Sequence, residues 1–116
     1  MNNMAIIDWE QFNENFQYYD QEIITEVIGD FFNEADERLE TLRKNIEAKD
    51  FENLTFNAHS LKSVVGVFMA PKPHELAARI EMMGKEKSCE GIDEVFSELK
   101  ASIEGLILEL QDFLKK

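Results

Sequence analysis

Residues 58–67 read AHSLKSVVGV, and they divide between two faces of a helix. At about 100° of rotation per residue, Lys62, Ser63 and Gly66 fall within roughly 60° of His59. The apolar residues of this region fall on the opposite side, namely Leu54, Ala58, Leu61, Val65 and Phe68. The pattern predicts an amphipathic helix that buries its apolar face and exposes a histidine beside a cation.

The same period of three to four residues continues through most of the chain, and strand-like alternation is missing. We therefore predict an all-α fold, an antiparallel up-down-up-down four-helix bundle with a short additional N-terminal helix. The predicted helices cover about 9–16, 21–48, 51–69, 71–83 and 92–114. Together they form a single domain over residues 1–116.

Short polar motifs mark the predicted helix ends. Asp8 followed by Gln11 has the form of a capping box, and Asp50 is a plausible N-cap for the helix that carries His59. The polar stretch 84–91 is predicted to be a loop, with Ser88 as the candidate cap of the last helix.

Composition and charge exclude several classes of function. The 116 residues include 24 acidic and 12 basic ones, and the net charge of −12 argues against nucleic acid or anionic lipid as a partner. The single cysteine, Cys89, cannot form an internal disulfide, and no Cys/His pair has the spacing of a zinc site. We predict neither a signal peptide nor a transmembrane helix, and a cytoplasmic location.

The segment His59-Ser60-Leu61-Lys62, preceded by Ala58 and followed by an apolar run, resembles the phosphorylated segment of histidine phosphotransfer (HPt) domains of bacterial phosphorelays. The resemblance implies that His59 accepts a phosphoryl group and that Lys62 stabilises it. It implies a carrier without kinase activity, which exchanges phosphate with receiver domains of a hybrid sensor histidine kinase and of a response regulator. No cofactor is expected on this chain, because the partner receiver would supply Mg²⁺.

The residues around His59 are expected to form a docking surface for these partners. They are small or apolar and share its helix: Thr55, Phe56, Ser63, Gly66 and Val67. Gly66 admits two explanations, close approach of a partner or a close helix crossing. Thr55 could hydrogen-bond the imidazole or face solvent, and either Glu75 or Glu81 could orient the ring. His74 is given no function.

Three positions depart from the usual HPt pattern. Ser63 stands where the family typically has glycine directly after the motif lysine. The second glycine that commonly ends the phosphorylated helix is replaced by Met69-Ala70-Pro71, so the turn is expected to depend on proline. Asn57 projects toward the core side of the helix and needs a hydrogen-bond partner if it is buried.

The sequence leaves two other functions open. One is a helical-bundle adaptor that binds receiver domains without being phosphorylated. The other is a metal-binding bundle enzyme, which would need carboxylates and Glu-x-x-His pairs projecting inward from several helices. The stretch 52–59 offers no such spacing, so no metal site is predicted. We expect a monomer, because a single bundle accounts for most of the apolar residues.

Overall fold

The structure, a computed structural model, describes residues 5–116, and helices occupy most of that range. The five helices are, in chain order, α1 (Trp9–Phe16), α2 (Gln21–Ala48), α3 (Phe51–Val67), α4 (Pro71–Glu86) and α5 (Ile92–Leu114). No strand occurs between residues 5 and 116. The predicted all-α class is therefore confirmed for the described part of the chain.

Helix α3 lies against both α2 and α4, and its contact with α4 is the most extensive between any two helices described. Its apolar face is almost fully buried, as the sequence predicts, through Leu54, Ala58, Leu61 and Val65. Burying a leucine or valine side chain contributes about 1.5–3 kcal/mol to the stability of the folded state. This burial determines the rotation of α3 about its axis, and His59 consequently lies on the exposed side.

Helix α1 attaches to the ends of α3 and α5. The Asp8 carboxylate accepts a hydrogen bond from the Gln11 amide at 3.2 Å, but the Asp8 amide donates to the Met69 carbonyl at 2.8 Å. Only half of the predicted capping box is therefore formed. Trp9 stacks on Phe113 with 5.7 Å between the ring centroids, and this contact fixes α1 against the end of α5.

The end of α3 corrects the sequence prediction. The helix ends at Val67 and not at Met69. Met69 adopts the left-handed conformation with φ of 56°, and its amide donates to the Gly66 carbonyl at 3.1 Å. The chain therefore turns at Met69 without glycine, and Pro71 follows as the first residue of α4, where its missing amide hydrogen is not needed.

The predicted loop 84–91 is wrong in its first part, and Ser88 is not the cap of the last helix. Helix α4 continues to Glu86, and Lys87 ends it in the left-handed conformation. The residue that caps α5 is Gly91, with φ of 74°. Gly84 lies buried inside α4 because α3 passes closely over it, at Thr55. A glycine at this position reflects helix packing, whereas the sequence alone suggested a turn.

We expect Gly84→Ala to lower the free energy of unfolding by about 1–3 kcal/mol, the usual cost of overpacking. A Cβ at this position would clash with Thr55 Oγ1 and lie 3.1 Å from the Thr55 amide nitrogen. Gly29→Ala is the matched control, because a Cβ at that helical position meets nothing within 4 Å. It should stabilise the protein by up to about 1 kcal/mol. Urea unfolding followed by circular dichroism measures both, and equal effects would contradict the packing argument.

Candidate functional site

His59 lies in the middle of α3 with its side chain 59% exposed. Its Nδ1 atom is 2.8 Å from Oε2 of Glu81 on α4. Within residues 5–116, Nε2 on the other edge of the ring has no hydrogen-bond partner. The imidazole is thus held on one edge and accessible on the other.

Glu81 is a charged side chain at the contact between α3 and α4, where it is only 9% exposed. Its Oε1 atom binds Lys62 Nζ at 2.8 Å, its Oε2 atom binds His59, and Lys85 Nζ lies 3.7 Å from Oε2. A buried carboxylate is costly unless charged or hydrogen-bonding groups pair with it. Glu81 satisfies that requirement with groups from both helices.

The ionisation of Glu81 follows from these contacts. Burial raises the pKa of the carboxyl, but the hydrogen bonds and charges of Lys62 and His59 outweigh burial. The pKa of Glu81 therefore lies below its ordinary value of 4.5, and the carboxylate is charged at neutral pH.

A charged carboxylate determines which ring nitrogen of His59 carries the proton. Glu81 has no proton to donate, so the hydrogen bond requires Nδ1–H as the donor. In the neutral imidazole, Nε2 then keeps its lone pair. The geometry leaves a neutral nitrogen nucleophile at the exposed edge of His59.

The register of the α3–α4 hairpin brings Glu81 to His59. In each of three cross-helix pairs, the two residues lie almost the same number of residues from the turn at Met69–Ala70. The pairs are Thr55 with Gly84, His59 with Glu81, and Gly66 with His74. Of the two carboxylates considered from the sequence, Glu81 contacts the ring, and Glu75 is exposed on α4. Counting outward from the predicted break before Pro71 is the signal that could have selected it.

Lys62 lies one turn after His59, as the motif spacing predicts, but it is not a free cation. Its side chain is 25% exposed, and its ammonium group binds the same carboxylate as the imidazole. The sequence indicated that Lys62 and His59 are neighbours on α3. It contained no local signal that one buried carboxylate holds both.

Three of the predicted docking residues are exposed on the flank of α3 that faces α2. Phe56 is 71% exposed, Val67 is 42% exposed, and Ser63 is also exposed. The Ser63 hydroxyl donates to the His59 carbonyl at 3.2 Å, so it bonds the backbone and not the imidazole. These side chains leave an open, partly apolar surface beside the ring.

The other two predicted docking residues, Thr55 and Gly66, lie at the contact with α4. The Thr55 hydroxyl donates to the Phe51 carbonyl at 2.8 Å, and it forms no hydrogen bond with the His59 ring. A Cβ on Gly66 would lie 3.3 Å from Cδ2 of His74. This contact favours the close helix crossing as the explanation for Gly66, and it gives His74 a packing position.

Two polar contacts between α2 and α3 were not predicted as pairs. Arg38 donates through Nη1 to Ser60 Oγ at 2.9 Å, directly beside His59 in sequence. Asn57 donates through Nδ2 to Asn45 Oδ1 at 2.8 Å, which supplies the partner that the sequence required for Asn57. Both pairs hold α3 against α2, and their members are too far apart in sequence for a local pattern to reveal them.

Metal-binding clusters and membrane-spanning helices are both absent from the described part of the chain. Residues 5–116 contain no group of three His, Cys, Asp or Glu side chains placed to hold a metal ion. Among the five helices described, none combines the length and the apolar character that a membrane span requires.

Comparison with protein families agrees with the geometry. The family model described as Hpt domain matches residues 26–112. The matched range includes α3, α4 and nearly all of α2 and α5, and therefore the whole cluster of His59, Lys62 and Glu81. Helix α1 lies outside it. No curated protein and no solved structure gives a significant match to the chain.

We expect NMR to show that the neutral His59 ring carries its proton on Nδ1, because the Glu81 carboxylate accepts a hydrogen bond there. Two-bond ¹H–¹⁵N correlation spectra of the imidazole distinguish the two tautomers. In Glu81→Ala the Nε2–H tautomer should increase. His74, which contacts Gly66 and not a carboxylate, is an internal control whose spectrum should not change. An unchanged His59 spectrum would contradict the assignment.

Glu81 should also make stability depend on pH. Because the pKa of its carboxyl is lower in the folded protein, its contribution is present above about pH 4.5 and is lost as pH falls through the folded value. The unfolding free energies of wild type and Glu81→Gln should therefore differ more at about pH 5.5 than at about pH 3. Urea unfolding at both pH values measures the two differences. A constant difference would show that the charge of Glu81 is not involved.

Proposed function

The chain belongs to the Hpt domain family, and we propose that it shuttles a phosphoryl group on His59 between receiver-domain aspartates in a multistep two-component phosphorelay. The partners would be receiver domains of a hybrid sensor histidine kinase and of a response regulator. The observation that carries the proposal is the exposed His59 ring, bound through Nδ1 to the buried Glu81 carboxylate.

The chemistry follows from that ring geometry. The Nε2 lone pair attacks the phosphorus of a receiver's aspartyl phosphate, and an N–P bond forms as the P–O bond to the aspartate breaks. The aspartate leaves as a carboxylate with the bonding electron pair. Nδ1–H remains bonded to Glu81, whose negative charge stabilises the positive charge that develops on the imidazole. The reverse step passes the group to the aspartate of the next receiver.

Lys62 would stabilise the phosphoryl group as it arrives. Its ammonium group shares Glu81 with His59, so a cation lies next to the position where two negative charges are added. Phosphoryl transfer depends mainly on positioning and charge stabilisation, which this arrangement supplies. The docked receiver would hold the Mg²⁺, and the chain would act as a carrier without kinase activity.

The proposal extends to the setting of the protein. We place it in the cytoplasm, where phosphorelay partners would meet it, and we propose that it acts as a monomer. A second copy covering Phe56 and Val67 would block the surface beside His59.

We also propose the full up-down-up-down order of the helices in the bundle. The neighbouring pairs already run in opposite directions between α2 and α3 and between α3 and α4.

A phosphotransfer assay tests this function. Purified receiver domains, phosphorylated on aspartate with acetyl phosphate, are mixed with the wild type or with His59→Gln, and acid-labile phosphate on each chain is followed. Only the wild type should be labelled. Receivers that bind the wild type but never label it would instead support the unphosphorylated adaptor.

Lys62→Gln should reduce the transfer rate about tenfold or more, because losing a charge-assisted hydrogen bond costs about 1.5–3 kcal/mol. Lys100→Gln is the matched control, because Lys100 is an exposed lysine of α5 and its substitution removes the same charge. Rapid-quench mixing with a receiver that carries labelled phosphate measures the transfer rates of both variants. Equal rates in the two variants would remove Lys62 from the site.

A further inference from the structure

We propose that the groove between the first half of α2 and the C-terminal end of α3 selects a receiver whose docking face carries apolar side chains bordered by lysine or arginine. The inference rests on the proposed function and names the partner chemistry that this particular chain recognises. It rests on the position of the groove, on the apolar side chains that line its floor, and on the acidic residues of α2, Asp30 and Glu34, that form its rim.

The groove has a volume of about 190 Å³, and valines from both helices line it: Val27, Val64 and Val67. Val67 is 42% exposed and comes eight residues after His59, or about 12 Å along the α3 axis. Phe56, the other exposed apolar residue of α3, lies on the same flank of the helix. Apolar surface is therefore available on this flank both before and after His59 in the sequence.

An interface of ordinary size centred on His59 would reach this groove. A stable protein interface of standard size buries about 800 Å² on each partner, roughly a disc of 16 Å radius. The receiver has to bring its aspartate into bonding distance of His59 Nε2, so an interface of that size centred there extends beyond Val67. The groove and its rim would belong to the contact area.

The rim of the groove on α2 is acidic. Asp30 and Glu34 line the groove, and Glu26 and Glu37 continue the same face of the helix at spacings of four and three residues. Like charges at these spacings repel one another. Arg38 binds Glu34, but within residues 5–116 no salt bridge joins Glu26, Asp30 or Glu37 to a basic side chain.

Charge complementarity favours a basic partner face over the other possible occupants. On the second half of α2, Arg43 binds both Glu40 and Glu47, which compensates the acidic charge there. A second copy of this chain would place an equally acidic rim against the first. A partner face with an apolar patch can pack against the valines of the groove, while lysine or arginine beside that patch pairs with the acidic side chains of its α2 edge.

Charge reversal on α2 tests the proposal. Asp30→Lys changes the groove rim, and Asp36→Lys makes the same change at an exposed position about 120° around the helix. The probe is a panel of receiver domains phosphorylated with acetyl phosphate and sorted by the charge of the face around their aspartate. Phosphoryl transfer to each variant is measured at low salt and at about 0.5 M NaCl.

We expect the receivers that label the wild type rapidly to be those with a basic face. Asp30→Lys should slow this transfer about five- to tenfold at low salt, and Asp36→Lys less than twofold. The difference should shrink at high salt, and replacing a bordering receiver lysine by glutamate should restore transfer to Asp30→Lys. Equal rates for the two variants would overturn the inference while leaving the phosphotransfer function intact. Failure of every receiver to label the wild type would instead overturn both.

Discussion

The pairing of the buried Glu81 carboxylate with His59 and Lys62 is the interaction on which the site depends. Three side chains from two helices meet there, and each of the two contacts is 2.8 Å long. Because a buried carboxylate is unfavourable without partners, the contact ties the register of α3 against α4 to the chemistry of the imidazole. Close packing at Gly84 and Gly66 keeps the helices near enough for these bonds to form.

The charge distribution separates two tasks. The chain carries a net charge of −12, which would repel a phosphoryl group from most of its surface. At His59, however, two lysines, Lys62 and Lys85, lie near a single carboxylate, so the local balance is positive. The acidic groups lie farther along the surface, at the rim beside Val67. In the proposed function, one region of the surface would favour the transferred phosphoryl group, and a neighbouring region would favour a basic partner face.

Much of the fold could be predicted because its determinants are local. The bounds of α2 and α5, and the cap at Asp50, follow from apolar period and capping chemistry within a few residues. The predictions from sequence were wrong where segments distant in the chain contact each other. Met69 adopts the left-handed conformation just after α3, where the Asp8 amide donates to its carbonyl, and Gly84 lies inside α4, where Thr55 packs over it.

The candidate site divides in the same way. By itself, the sequence determined that His59 faces away from the core with Lys62 one turn later, since helical rotation relates residues on a single helix. Only the tertiary structure decided that Glu81, and not Glu75, binds the ring, and that the proton lies on Nδ1. It also decided that Gly66 accommodates His74. These contacts join residues on different helices, and the register between two helices depends on the turn and on packing along their whole length, which no local pattern contains.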